Sequence, residues 1–275
     1  MCLSEYEKEQ IRAIKKWKKE ESGVVNTALS YVMFPICRLI QSLVPASTIQ
    51  GVIDGTNAAA LWLTDEADIL KKSAVKDIEE LRTKGIMTSD KLANDVHNWA
   101  IGLASAEGVG MGVWGFYALA VDIPFILTLA LRSIHKIGLC YGYKAKEEKD
   151  RQFVLTVLSV SGANSAREKA DALNILQTID IMVAKQTLKT IAEKAAQQQL
   201  SKEAVVISMK NLGRQIGINI LERKVLQAIP AIGAVVGGSV NSWFINDVGW
   251  AARRAFQERW FMDNGMIQMR DIEKL

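Results

Sequence analysis

A chain of 275 residues, 49% hydrophobic and 23% charged, is long enough to bury a sizeable core, which excludes wholesale disorder and any need for disulfides or a structural metal. Its net charge of +4, with a pI near 8.8, falls short of the concentrated basic character of a dedicated nucleic-acid binder, so no nucleic-acid partner is expected. Three cysteines, Cys2, Cys37 and Cys140, stand far apart without metal-ligand or redox spacing, which fits a reducing compartment.

Residues 1–21 are charged throughout and lack the apolar core of a secretory signal. The apolar stretch at 24–43 is interrupted by Asn26, Ser30, Arg38 and Gln41, so a cytoplasmic protein is expected. Within 5–19, Tyr6, Ala13, Ile14 and Trp17 share one helical face while Lys15, Lys16, Lys18 and Lys19 crowd the rest. This is a basic amphipathic opening helix. A lysine near an anionic bilayer contributes about 1 kcal/mol, and an indole suits the water–lipid boundary. Lys15, Lys16, Trp17, Lys18 and Lys19 are therefore the expected membrane-binding residues, against the plainer reading of a solvated charged face with Trp17 folded into the core.

Farther along, 22–45 is mostly apolar and 51–57 turn-like. From Thr64 a stripe of Ala67, Leu70, Ala74, Ile78 and Leu81 predicts one continuous helix, with Asp65 and Glu66 in its first turn, Arg82 and Lys84 in its last and Gly85 as its stop. A short helix is expected from Thr88 or Ser89, with Leu92, Val96, Trp99 and Leu103 on one side. Asp122 and Pro124 read as the cap and first turn of a helix running to Gly142, followed by a charged turn at 144–151. Ser165-Ala166-Arg167-Glu168 is a capping box opening a helix to about residue 199. Two more helices are expected, from Ser201 to about 227 and from Pro230 to about 262.

Glycines recur four apart inside apolar helices, at 108/112, 138/142, 213/217 and 233/237. Each interior glycine costs about 1 kcal/mol relative to alanine, so close helix approach is the expected compensation, either in a membrane or in a tight core. With no strand alternation and no linker, the fold class is all-α: a single compact helical domain over 1–275 of about seven to nine helices, with glycine-notched apolar central helices and a short tail at 263–275.

Three stretches carry a family resemblance. They are Gly110-Met111-Gly112-Val113-Trp114-Gly115 running into Val121-Asp122-Ile123-Pro124, Leu131-Arg132-Ser133-Ile134 and Tyr141-Gly142-Tyr143; then Arg151-Gln152-Phe153-Val154-Leu155; then residues 224–260 with Asn241 and Glu258-Arg259-Trp260. Together with Trp17-Lys18 they resemble the bacterial EcsC family over about residues 5–262. The resemblance implies a membrane-associated protein and an ABC transporter as a partner, and it brings no catalytic residues.

Gly110-x-Gly112-x-x-Gly115 matches a dinucleotide fingerprint by letter, but a helix rather than a strand precedes it, and His135 stands where an acidic residue is needed. No phosphate-cradling loop is present, so no nucleotide cofactor is expected, and no metal. His97 and His135 are the only histidines, and neither has a metal-helix partner. Asp122 reads as a cap, or as an intramembrane ionisable group if 109–131 spans a bilayer. Trp114, Asp122, Arg132, His135 and Asn241 are the candidates for a lipid pocket. The expected function is a non-enzymatic, membrane-associated protein binding anionic phospholipid at the inner membrane. The alternatives are a hydrolase of amphiphilic envelope substrates using Asp122, Arg132, His135 or Asn241, and a membrane-inserting toxin.

Overall fold

The computed structural model describes residues 3–20, 51, 55, 66–111, 119–163, 165–187, 219 and 240–267. Seven α-helices lie among them, and no strand: α1 (Glu5–Lys19), α2 (Ala67–Ser73), α3 (Ile86–Met111), α4 (Leu119–Cys140), α5 (Glu148–Gly162), α6 (Ala166–Thr187) and α7 (Val240–Asp263). The apolar stretch at 22–45, the end of the helix expected to about 199, the helix expected at 201–227 and the start of the one expected at 230–262 lie outside the described residues. None of the described helices is long and apolar enough to cross a membrane.

Helix α1 begins at a capping box: Ser4 Oγ accepts from the Glu7 amide, and the Glu7 carboxylate accepts from the Ser4 amide. The predicted helix from Thr64 is instead broken. Ala74 takes a left-handed conformation (φ 53°), and a 3-10 turn, Ile78–Arg82, follows. The cause is a second capping box that the hydrophobic stripe concealed. Asp77 accepts from the Glu79 amide, and Glu80 reaches back to the Asp77 amide, which offers the chain a new start. The restart turns Val75, Ile78 and Leu81 into the core.

Helix α3 begins at Ile86, earlier than expected, and its buried face follows the predicted one only in part: Leu92 is buried and Val96 packs against the core. Ala93, Ala100 and Ala104 are fully buried with Asp90 and His97, whereas Trp99 is 49% and Leu103 37% exposed. Asp122 lies inside α4 rather than capping it, as does Pro124, so the expected helix start is displaced toward the N-terminus. Helix α4 ends at Cys140 and is closed by Gly142 (φ 87°), where the Tyr143 amide bonds to the Gly138 carbonyl and the Gly142 amide to the Leu139 carbonyl, the paired bonds of a left-handed C-cap. A side chain at Gly142 would also strike Arg82, whose Nε donates to the Gly142 carbonyl at 2.8 Å. The charged turn shortens because α5 already starts at Glu148. Ser165 caps α6 as expected, accepting from the Glu168 amide.

Helix α7 is the axis, packed against α1, α3, α4 and α5. From Ala255 to Phe261 every residue is buried, including Gln257, Glu258 and Arg259. In the glycine pair 138/142, Gly142 lies against the backbone of the 3-10 turn, where an added Cβ would come 2.8 Å from the Arg82 amide nitrogen. Gly138 receives the Phe256 ring of α7, where an added Cβ would lie 2.7 Å from Cζ, and Gly142 is a helix stop. Residues 112, 213, 217, 233 and 237 of the other pairs lie outside the described residues. Among the described glycines the closest approach is at Gly249, where an added Cβ would come within 2.0 Å of the His97 ring. That contact lets His97 Nε2 reach the Asn246 carbonyl at 3.1 Å and set its ring edge-on to Trp250. Gly249→Ala should therefore destabilise the fold by about 1–3 kcal/mol through overpacking, read as a lowered denaturation midpoint; an unchanged midpoint would show that α3 and α7 are not held this closely.

Candidate functional site

A buried carboxylate ties four segments together. Asp90 of α3, 4% exposed, accepts hydrogen bonds from the Tyr6 hydroxyl of α1 (2.7 Å), the Tyr141 hydroxyl at the end of α4 (2.5 Å) and Gln257 Nε2 of α7 (2.6 Å). Gln257 accepts in turn from Arg254, whose Nη1 also donates to Gln10 of α1. Burial and the bond to Asp90 push the Tyr6 phenol far above its usual range, and burial with the Asp90 charge does the same at Tyr141. Both stay protonated donors at neutral pH. Sequence reading missed this group, although Asp90 shares the small-residue face of Ala93, His97 and Ala100, and a carboxylate there needs donors.

Beside it lies a second buried charged group. Glu258 pairs with Lys18 of α1, while Arg259 stacks on Tyr143 and Phe153 and reaches Asp150 at 3.4 Å. Tyr143 donates to Asp263. Asp180 of α6 is buried with Oδ1 lacking a hydrogen-bond partner, and burial holds its carboxyl well above the usual range, with Arg259 opposing and Glu258 reinforcing.

Two surface features remain. The first is a groove of about 210 Å³ between α2, α3 and α4, lined by Asp68, Lys72, Asp95, Trp99, Arg132 and Lys136 among others. Lys136 pairs with Asp68 and Lys72 with Asp95, whereas the Arg132 guanidinium lies over Trp99 at 5.2 Å and its buried Nε has no acceptor. The contacts Asp90–Tyr141 and Trp99–Arg132 set α3 and α4 antiparallel, so the register places Leu103 level with Thr128 and Ala106 level with Phe125. The exposed face of α3 thus changes from Lys91, Asn94, Asp95 and Asn98 to Trp99, Gly102, Leu103 and Ala106 toward its C-terminus. The second is a cleft of about 440 Å³ between α1, α5, α6 and α7, walled by Trp17 and Trp250 and floored by Lys169 and Arg254.

The predicted residues separate. On α1, Lys16 and Lys19 are exposed and Lys15 half-buried, but Lys18 turns inward to Glu258. Trp17 is half-buried against the core, under the Lys169 ammonium at 5.1 Å. Arg132 faces Trp99, while buried His135 has Arg151 of α5 as its electrostatic neighbour, and Asn241 is buried in the first turn of α7. Trp114 lies outside the described residues, as does the side chain of Asp122. Burial, with Arg253 near one and Arg151 near the other, lowers both His97 and His135 to about 4, so both imidazoles are neutral at pH 7. Burial pushes the Cys140 thiol up to about 12.

The geometry defines a helical protein with an ionic core, an amphipathic outer face and an aromatic cleft, whose described histidines and cysteine are built into packing. The chain belongs to the EcsC protein family, which it matches over residues 8–261. It is similar to YdbA of Bacillus subtilis (strain 168), 24% identical over 280 residues and 96% of each chain, and to Protein EcsC of the same organism, 23% identical over 216 residues, 78% of this chain and 77% of that one. No solved structure matches it.

Asp90→Ala orphans the two buried donors Tyr141 and Gln257 and the half-buried Tyr6, and should cost about 3 kcal/mol or more in chemical denaturation, while Tyr6→Phe removes one bond for about 1 kcal/mol. Equal effects would disprove the hub. Asp180 gives a pH test. With a folded pKa raised above the unfolded 3.8, its native form holds the extra proton, so stability is lost as pH rises through the folded value. Asp180→Asn removes that loss, and its stability advantage over the parent should widen from pH 5 to pH 8; a constant difference would show that Asp180 is solvated.

Proposed function

We propose that this protein is a non-enzymatic, peripheral membrane protein that docks on anionic phospholipid at the cytoplasmic face of the inner membrane. The observation that carries the reading is the α3–α4 outer face. Trp99 and Leu103 are solvent-facing in the middle and C-terminal half of α3, next to Arg132, which lies over the indole and forms no ion pair among the described residues. An indole with a guanidinium over it is suited to the bilayer boundary, where the ring enters the headgroup layer and the cation meets phosphate. Lys72 and Lys136 add positive charge, offset by Asp95 and Asp68, so most of the affinity comes from apolar insertion with Arg132 selecting anionic lipid. The non-enzymatic half rests on the neutral imidazoles and the buried thiol, each occupied in packing.

Sedimentation with liposomes tests it. Vesicles containing phosphatidylglycerol should bind the protein and pure phosphatidylcholine should bind it weakly. Trp99→Ala with Leu103→Ala, or Arg132→Gln, should each weaken binding about tenfold, a change of about 1.4 kcal/mol. Charge reversal at Lys15, Lys16 and Lys19 should weaken it less. Binding that ignores Trp99, Leu103 and Arg132 would overturn the proposal.

A further inference from the structure

The cleft between Trp17 and Trp250 lies apart from the α3–α4 face. Among the described residues, five charged side chains line it: Lys16, Lys169 and Arg254 against Glu20 and Asp247, an excess of one positive charge among them. Glu20 is already met by Lys16 at 3.7 Å. The two deeper cations have neutral partners at contact distance. Lys169, 5% exposed, donates to the Trp17 and Glu20 carbonyls at 2.5 and 2.6 Å and lies over the Trp17 ring. Arg254 donates to the carboxamides of Gln10 and Gln257 and lies over the Trp250 ring at 5.1 Å. Among the described residues neither forms an ion pair, and burial lowers the pKa of both despite the acidic groups near them, Glu20 and Asp247 for Lys169 and Asp90 for Arg254. A buried cation without a matching carboxylate favours an anion, and two indole walls favour an apolar body attached to it. The volume is that of a small-ligand site.

We infer that this cleft binds one anionic amphiphile, with its phosphate or other anionic group over Lys169 and Arg254 and its apolar part between Trp17 and Trp250. A lipid headgroup and a free phosphorylated metabolite with an apolar substituent share that chemistry. The site goes beyond surface docking, because its lining residues differ entirely from Trp99, Leu103 and Arg132.

Calorimetric titration of the full chain tests it with four probes: monomeric dihexanoyl-phosphatidylglycerol, the phosphatidylcholine analogue, hexyl phosphate and inorganic phosphate. Saturable one-to-one binding of the phosphatidylglycerol or of hexyl phosphate is expected, and which of the two binds more tightly separates lipid from soluble ligand. The phosphatidylcholine and inorganic phosphate should bind at least about tenfold more weakly. Lys16→Glu, at an exposed rim position, and Trp250→Ala, with helix content checked by circular dichroism, should each weaken binding about tenfold, while Trp99→Ala with Leu103→Ala leaves it unchanged. Inorganic phosphate binding as tightly as the amphiphiles, no saturable heat with any probe, or loss of binding in the Trp99 and Leu103 variant would overturn the inference. Failure here with intact liposome binding would leave surface docking standing, and the converse would leave the cleft.

Discussion

The carboxylate of Asp90 imposes the constraint on which the rest of the structure depends. Placed among alanines on the buried face of α3, it must be matched by donors, and those donors come from α1, the end of α4 and α7. A hydrogen-bonded group of this kind costs desolvation, and it has one geometry that satisfies every member. It therefore fixes the register of the helices more sharply than leucine-on-leucine packing, which tolerates sliding. The Gly142 stop follows from the same demand. It turns the chain immediately after Tyr141, so that the phenol stays at Asp90 while Tyr143 goes on to Asp263 and Arg259.

Helix α7 extends this logic to its own charges. A helix buried on every side ordinarily carries apolar residues alone, yet Gln257, Glu258 and Arg259 are consecutive in its buried segment. They point around the helix by about 100° each, so each meets a different neighbour: Gln257 the Asp90 group, Glu258 Lys18 of α1, and Arg259 Asp150 of α5. Lys18 thereby becomes part of the interior. A basic helix that sequence pattern assigns to a lipid surface uses one of its lysines, and half of its tryptophan, to hold itself to the bundle.

How much of this could be read beforehand depends on whether a signal was local. The all-helical class and the Ser165 cap follow from periodicity and capping, which act within a few residues. The break at Ala74 was also local but was hidden, because Asp77 and Glu80 sit inside an apolar stripe that continues in phase through them. The buried face of α3 was misread in part, for a different reason. Hydrophobic size ranks Trp99 and Leu103 above Ala93 and Ala100, but the close approach of α7 at Gly249 and His97 admits only small side chains, and that approach is a tertiary fact. The ion pairs that join Lys18 to Glu258 span 240 positions and leave no pattern along the chain.

The glycines lead to the same distinction. Spaced glycines inside oily helices suggest backbones pressed together in lipid, yet Gly138 makes room for the Phe256 ring, Gly142 reverses the chain, and Gly249, which belongs to no such pair, makes room for an imidazole. Gly138 and Gly249 serve aromatic packing within the bundle, and Gly142 serves a chain reversal against Arg82. A reading that places the protein at a membrane therefore gains nothing from these positions and has to stand on surface chemistry. There the relevant contrast is between an indole and leucine left facing solvent on α3, and indoles folded over a cleft containing cations that have no acid at contact distance. The first sets exposed apolar side chains beside the Arg132 guanidinium, whereas the second gathers cations and two indoles around one larger volume; surface attachment and capture of a single amphiphile are thus separable properties of the same bundle.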